Sequence, residues 1–231
     1  QHLIDTVKSL NVTLAASQIS NRVAIVWAGP CEYKKDTPNE FNSQYTNDVY
    51  YVVSDNQGFE WANIGTPANP SLANMLDNTA IDGGRITTYA EDGEYKAYCD
   101  LSALFDSDDY LHVVWNCRHW SDNGTTLDDR NGAIFHWGED DQVISPVVIA
   151  DWDDGLAETN VWAADVCKMT ISECDDKLYI LYTQFGNKSN PSGDISIEGN
   201  VNSELYLTAS NDDGLSWDKP QNLTNSETPG C

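Results

Sequence analysis

Ser210-Asn211-Asp212-Asp213-Gly214-Leu215-Ser216-Trp217 sets a turn's worth of polar residues, one glycine and one tryptophan in the order Ser-x-Asp-x-Gly-x-x-Trp. The run from Glu204 to Ala209 leads into it as a strand. Asp212 can accept backbone amides across the turn, and Gly214 can take a positive φ without Cβ strain. Trp217 then folds back onto the sheet that the strand belongs to. A second copy stands at Ser54-Asp55-Asn56-Gln57-Gly58-Phe59-Glu60-Trp61, with Asn56 in the aspartate's place. Two such corners in one chain predict a repeated strand–turn–strand unit.

The same unit is found on working outward from each corner. Val12 to Ser17 and Val23 to Trp27 read as a first hairpin (strands A and B), Asp48 to Val53 as strand C, and the stretch from the Ser54 corner through Trp61 as a short strand D. A second unit has Cys99 to Phe105, Leu111 to Trp115, Ala133 to Trp137 and Pro146 to Ala150. Its C–D turn, Gly138 to Asp141, has lost the corner pattern. A third has Val166 to Ile171, Leu178 to Tyr182, Glu204 to Ala209 and an edge strand after Trp217. Strand B is the longest apolar run of each unit and ends in an aromatic: Trp27, Trp115, Tyr182. Four-stranded antiparallel repeats with strands buried on both faces predict an all-β partial β-propeller of about three blades, approximately 11–66, 95–150 and 162–225, within one segment spanning 1–231. The competing all-β architecture is a sandwich. Propellers close with about 4 to 8 blades, so three predict a piece of a larger ring.

The two corners resemble the Asp-box of the sialidase-like (BNR-repeat) β-propellers. In that family the box is a structural corner, so Ser210, Asp212, Gly214 and Trp217, with Ser54, Asn56, Gly58 and Trp61, are expected to hold the fold. The best-known activity of the family is exo-sialidase, in which three arginines hold the substrate carboxylate, a Tyr-Glu pair is the nucleophile and an Asp is the acid. The first of those arginines lies in a Phe/Tyr-Arg-Ile-Pro motif, whose nearest match here, Gly84-Arg85-Ile86-Thr87, lacks both the aromatic and the proline. Arg22, Arg85, Arg118 and Arg130 are the chain's arginines, and Arg22 belongs to an A–B turn, at the wrong end of its blade.

Twelve Lys and Arg stand against 37 Asp and Glu, a formal charge of -25 that excludes nucleic acid and anionic membrane surfaces as partners. No apolar run approaches the roughly 20 residues of a membrane span. Six cysteines, Cys31, Cys99, Cys117, Cys167, Cys174 and Cys231, lack zinc spacing. They predict disulfides in an exported, extracellular or cell-surface protein, with Cys167 and Cys174 close enough in sequence to clip one hairpin. Sequons occur at Asn11, Asn123, Asn187 and Asn222, about the number that chance gives in a chain rich in Asn, Ser and Thr.

In an A-B-C-D blade the short A–B and C–D turns share one end. The B–C and D–A connections, which here include every long segment, share the other, and that is where a site is expected. Arg118-His119-Trp120-Ser121-Asp122 offers a cation, an aromatic face and a carboxylate, a mixture suited to a sugar or a protein surface. Arg85 and Trp152 are placed with it. Asp151-Trp152-Asp153-Asp154-Gly155 has the alternating carboxylates of a calcium loop without the distal Glu, making Ca²⁺ at Asp151 and Asp153 the one cofactor the sequence admits. The expected function is an exported, non-catalytic recognition module for a glycan or protein. The alternatives are a sialidase-type hydrolase fragment and a structural unit of a surface or filament assembly.

Overall fold

The computed structural model describes residues 11–30, 47–61, 83–87, 95–120, 127–150, 164–186 and 203–224. Twelve strands occur there and no helix. The first blade is β1 (Asn11–Ala16), β2 (Val23–Pro30), β3 (Asn47–Ser54) and β4 (Gly83–Arg85), paired antiparallel in that order. The second is β5 (Tyr95–Phe105), β6 (Leu111–Trp120), β7 (Leu127–Gly138) and β8 (Ile144–Ala150). The third is β9 (Val166–Cys174), β10 (Lys177–Phe185), β11 (Ser203–Ser210) and β12 (Gln221–Asn222). Each is a four-stranded antiparallel meander, and together they form a partial β-propeller. One bridge, Asn47 to Ala97, joins the first two blades at their edge.

A cross-strand aromatic pair repeats at one register in all three blades. Trp27 stacks on Tyr50 (5.7 Å between centroids), Trp115 on Phe135 (6.3 Å) and Tyr182 on Tyr206 (5.8 Å), and each pair lies directly opposite on strands B and C. In a meander whose strands are buried on both faces, side chains of both parities must be apolar. The neighbours Val113 and Val114 show it: both are fully buried, Val113 packing with blade 1 residues Val26 and Val49, Val114 with blade 3 residues Val166, Ile180 and Tyr182. Blades are therefore welded by two separate apolar seams. The turn between β9 and β10 is the two-residue Asp175-Asp176, both at positive φ (51° and 56°), the conformation that suits the twist of a tight hairpin.

The two corners share one wiring. Ser210 Oγ accepts from the amides of Asp212 (3.3 Å) and Gly214 (2.9 Å), and Asp212 Oδ1 accepts from Ser216 N (2.9 Å). Ser54 Oγ accepts likewise from Asn56 (3.4 Å) and Gly58 (2.9 Å), and Asn56 Oδ1 from Glu60 N (2.7 Å). The carboxamide oxygen does the aspartate's work. Its second group differs in polarity: Asp212 Oδ2 accepts from Ser216 Oγ, whereas Asn56 Nδ2 donates to Glu60 Oε2. Trp217 and Trp61 are both half-buried at the same end of their blades. Trp217 is held by a hydrogen bond to Ser145 (3.3 Å) and an edge-on contact with His136.

Two expectations are corrected. The fourth strand of blade 1 is Gly83–Arg85 and not the stretch through Trp61, so the connection after Trp61 leaves from and returns to the short-turn end. The reason lies in the ionic clamp of Arg85 with Asp48, which fixes β4 without strand-forming side chains. Nor are most of the cysteines paired: Cys99, Cys117 and Cys174 carry free thiols. Cys167 and Cys174 lie on one strand, β9, about 23 Å apart at 3.3 Å per residue, far beyond disulfide reach. Cys31 and Cys231 lie outside the described residues.

Candidate functional site

At the short-turn end the blades are tied by polar contacts. Arg22 donates to Glu139 Oε1 (2.6 Å) and to the carbonyl of Asp109, and Ser107 donates to Glu173 (2.6 Å). Asp106 Oδ1 accepts from Asp108 N and Tyr110 N as a hairpin turn should, while its Oδ2 meets His112 Nε2 (2.9 Å). His112 Nδ1 in turn meets His136 Nε2 (2.9 Å), the two rings stacking in the interior. Burial and the neighbouring imidazole lower His136 to a pKa of about 3, so it is neutral. The register of β6 against β7 brings these two histidines together, and no linear spacing signals it. This end is structural.

The opposite end carries the ends of β2, β4, β6 and β10 and the starts of β3, β5, β7 and β11. Its blade 1 portion is a closed network. Arg85 pairs with Asp48, Thr87 Oγ1 donates to Asp48 Oδ1 (2.8 Å), and Thr87 Oγ1 accepts from Val49 N (2.9 Å). Asp48 is almost wholly buried. Arg85 therefore anchors β4, and a buried pair of this kind is costly to break because one charge would be left uncompensated. Asn47 Nδ2 donates to Tyr98 O (3.2 Å), linking this network to blade 2.

In blade 2, Lys96 and Arg118 are direct cross-strand partners on β5 and β6, and both are only 6% exposed. The Arg118 guanidinium lies over the Tyr98 ring (5.5 Å), and the next pair outward, Tyr95 and His119, meets edge to face (5.2 Å). Between blades 2 and 3, Asn116 Oδ1 accepts from the amides of Cys99 (3.1 Å) and Asp100 (2.9 Å) where β5 bulges, and Asp100 receives Lys168 Nζ (3.0 Å). Burial, then Asp100, pushes the Cys99 thiol up to about 12.

Of the predicted site residues, Arg118 and Arg85 are at the long-connection end, Arg85 committed to Asp48. Trp120 is in β6 with its backbone paired to Leu127; its side chain lies outside the described residues, as do Asp122, Asp151, Trp152 and Asp153. Sequence reading missed Lys96, Asp48, Asn47 and Asn116. Asn116 could have been found, since it is a polar break directly after the apolar run ending at Trp115. Among the described residues no group of three or more His, Cys, Asp or Glu could hold a metal ion, and no helix is long and apolar enough to cross a membrane.

No family model matches the chain, and no curated protein matches it. Solved structures do. A Hadza microbial sialidase is 11% identical, covered over 90% of this chain and 32% of its own, with a TM-score of 0.46. The GH43 endo-arabinanase from Bacillus licheniformis is 10% identical, covered over 90% and 55%, at 0.39. Trypanosoma rangeli sialidase in complex with the inhibitor DANA is 11% identical, covered over 91% and 28%, at 0.41. The chain spans between 28% and 55% of the length of these three proteins. At such identities the likeness is one of strand arrangement.

Proposed function

We propose that this chain is an exported, non-catalytic propeller segment of the Asp-box type whose long-connection end recognises an acidic group on a glycan or a protein. The observation that carries the reading is the Lys96–Arg118 pair. In a chain of net charge -25, two cations are set side by side on adjacent strands, with Arg118 braced by an aromatic ring. Arginine's planar fork matches a carboxylate, and an aromatic brace restricts it to one orientation. Trp120 and Asp122 follow directly in sequence and supply a stacking face and a hydroxyl acceptor; Trp152 is proposed to join them.

Hydrolysis is left out of the reading because a sialidase-like triad would call on Arg85, which is spent on Asp48. Ca²⁺ at Asp151 and Asp153 belongs to the reading as a structural ion of the neighbouring connection. Of the four sequons, the one at Asn222 has its Asn222 and Thr224 tied into the β11–β12 edge by Tyr206 and Leu205.

The test is an array of neutral and acidic glycans probed with the parent, Trp120→Ala and Arg118→Lys, beside a fluorogenic sialoside assay. Expected are retention of acidic glycans, at least a tenfold loss in each variant with circular dichroism unchanged, and no turnover. Turnover that Arg118→Lys abolishes would make the protein a hydrolase. Binding to no acidic glycan, or binding indifferent to both variants, refutes the surface.

A further inference from the structure

Blade 2 buries a titratable cluster that neither the blade architecture nor the recognition end calls for. Counted from the stacked aromatic pairs, the positions of His112 and His136 are taken by Ala24 and Tyr51 in blade 1 and by Tyr179 and Leu207 in blade 3, so a blade folds without imidazoles there. In blade 2 they form the seat of the next blade's corner. Gly214 lies against the His136 ring and Trp217 meets the ring at 5.4 Å, edge to face. Ser145 ties both residues, donating to the Gly214 carbonyl and accepting from Trp217 Nε1. The blade 1 corner differs: the atoms nearest a Cβ on Gly58 all belong to its own Trp61.

The cluster has a place for each proton it holds and none for another. The ionised Asp106 carboxylate only accepts, so His112 Nε2 carries a hydrogen. The 2.9 Å contact between His112 Nδ1 and His136 Nε2 holds one hydrogen, on one ring or the other. A proton added to His136 goes either into that contact, where two hydrogens do not fit, or onto Nδ1. Nδ1 is buried against the corner without a hydrogen bond, and the Gly214 carbonyl is already held by Ser145. Charged groups face the pair from each neighbouring element: Asp106 and Asp108 from the β5–β6 turn, Asp140 from the β7–β8 turn and Asp213 from the corner itself, while Glu139 is taken by Arg22. Burial keeps His136 from accepting a proton while the corner is closed.

We infer that the cluster is an acid-operated latch: proton uptake by His136 lifts the blade 3 corner from blade 2 and releases Trp217 from Ser145, while both blades stay folded. Opening is local because the apolar seam beside it, Val114 with Val166, Ile171 and Ile180, carries no charge and does not titrate. The closed corner holds the ring neutral and the open corner solvates it. The closed state is therefore favoured above the ordinary imidazole value of 6.5 and gives way as the pH falls toward the closed-state value of about 3. Asp213, pushed up by burial and then by Asp140, takes its proton more readily in the closed corner and works the other way.

Exchange of the Trp217 indole N–H with solvent deuterium, assigned by Trp217→Phe and corrected for the intrinsic pH dependence of free indole, reads the opening. Between pH 7 and 5 the opening constant should rise roughly 20- to 30-fold in the parent, with circular dichroism unchanged. His136→Gln should abolish the rise. His112→Gln, which keeps the titrating ring and removes the neighbouring imidazole, should shrink it. Asp213 is present in all three proteins, so its opposing effect cancels in the comparison. An opening constant equal at the two pH values, a rise that survives in His136→Gln, or a rise shared by the Trp61 indole or accompanied by loss of the strand signal overturns the inference.

Discussion

Gly214→Ala and Gly58→Ala form a matched pair of perturbations, since both glycines sit in the same corner at nearly the same backbone angle, φ +89° and +81°. Putting an L side chain in this region costs about 1–2 kcal/mol at either site. The surroundings differ. A Cβ at Gly58 would meet Trp61 Cζ2 at 3.3 Å, which a half-buried ring can relieve by a small shift. At Gly214 it would fall 2.1, 2.4 and 2.7 Å from three atoms of the His136 imidazole. That ring is held by His112 and is 1% exposed, so it has nowhere to go. Overpacking of this kind adds about 1–3 kcal/mol or more. Gly58→Ala should therefore cost about 1–2 kcal/mol and Gly214→Ala about 2–5 kcal/mol. Urea unfolding followed by tryptophan fluorescence measures both, as a shift of midpoint at constant slope. In a His136→Ala background the second substitution should shrink to the backbone cost, a coupling of about 2 kcal/mol in a double-mutant cycle. Equal costs at the two glycines, or no coupling, would show that the blade 3 corner does not rest on His136.

Acid should weaken the same seam. The folded-state pKa of His136 is lowered from 6.5 to about 3, so its contribution is whole above about pH 6.5 and is lost as the pH falls toward 3, because the unfolded chain takes up the proton first; at pH 5 the loss is about 2 kcal/mol. Neutralising carboxylates works the other way by relieving self-repulsion, so the measure is the stability difference between parent and His136→Gln, which should narrow by that amount between pH 7 and 5; a constant difference refutes it. Cys174, exposed at a turn, should react with iodoacetamide in the native protein, whereas Cys117, buried with its thiol pushed up by desolvation, should react only after unfolding; peptide mapping that finds Cys117 labelled natively contradicts the packing described.

What the sequence made legible follows from how far each signal reaches along the chain. The B strands, their terminal aromatics and the two corners are local: a strand buried on both faces must be an unbroken apolar run, and a corner needs its Ser, Asp or Asn, and Gly within five residues. The substitution of Asn56 for aspartate was readable for the same reason, because one oxygen suffices to cap the Glu60 amide. Strand β4 was not readable. Gly83-Gly84-Arg85 has no strand propensity of its own, and what makes it a strand is an acid 37 positions earlier on β3.

Site residues depend on register in the same way. Arg118 drew notice as a cation near Trp120, but its meaning changes once β5 lies against β6, for then Lys96, an ordinary lysine in a polar stretch, becomes its direct partner. Burial of a lysine cannot be read from its neighbours in sequence, since it is produced by a strand 22 residues away and by the blade beyond. The disulfide expectation failed on the same ground: counting six cysteines says nothing about which strands they share, and once Cys167 and Cys174 fall on one strand no pairing between them exists. The Lys96–Arg118 pairing is thus a feature of register that the Arg-His-Trp run alone does not announce. The run on its own is explained equally well by a loop that pins itself; what register adds is a second cation alongside the first, concentrating positive charge at one end of an acidic chain.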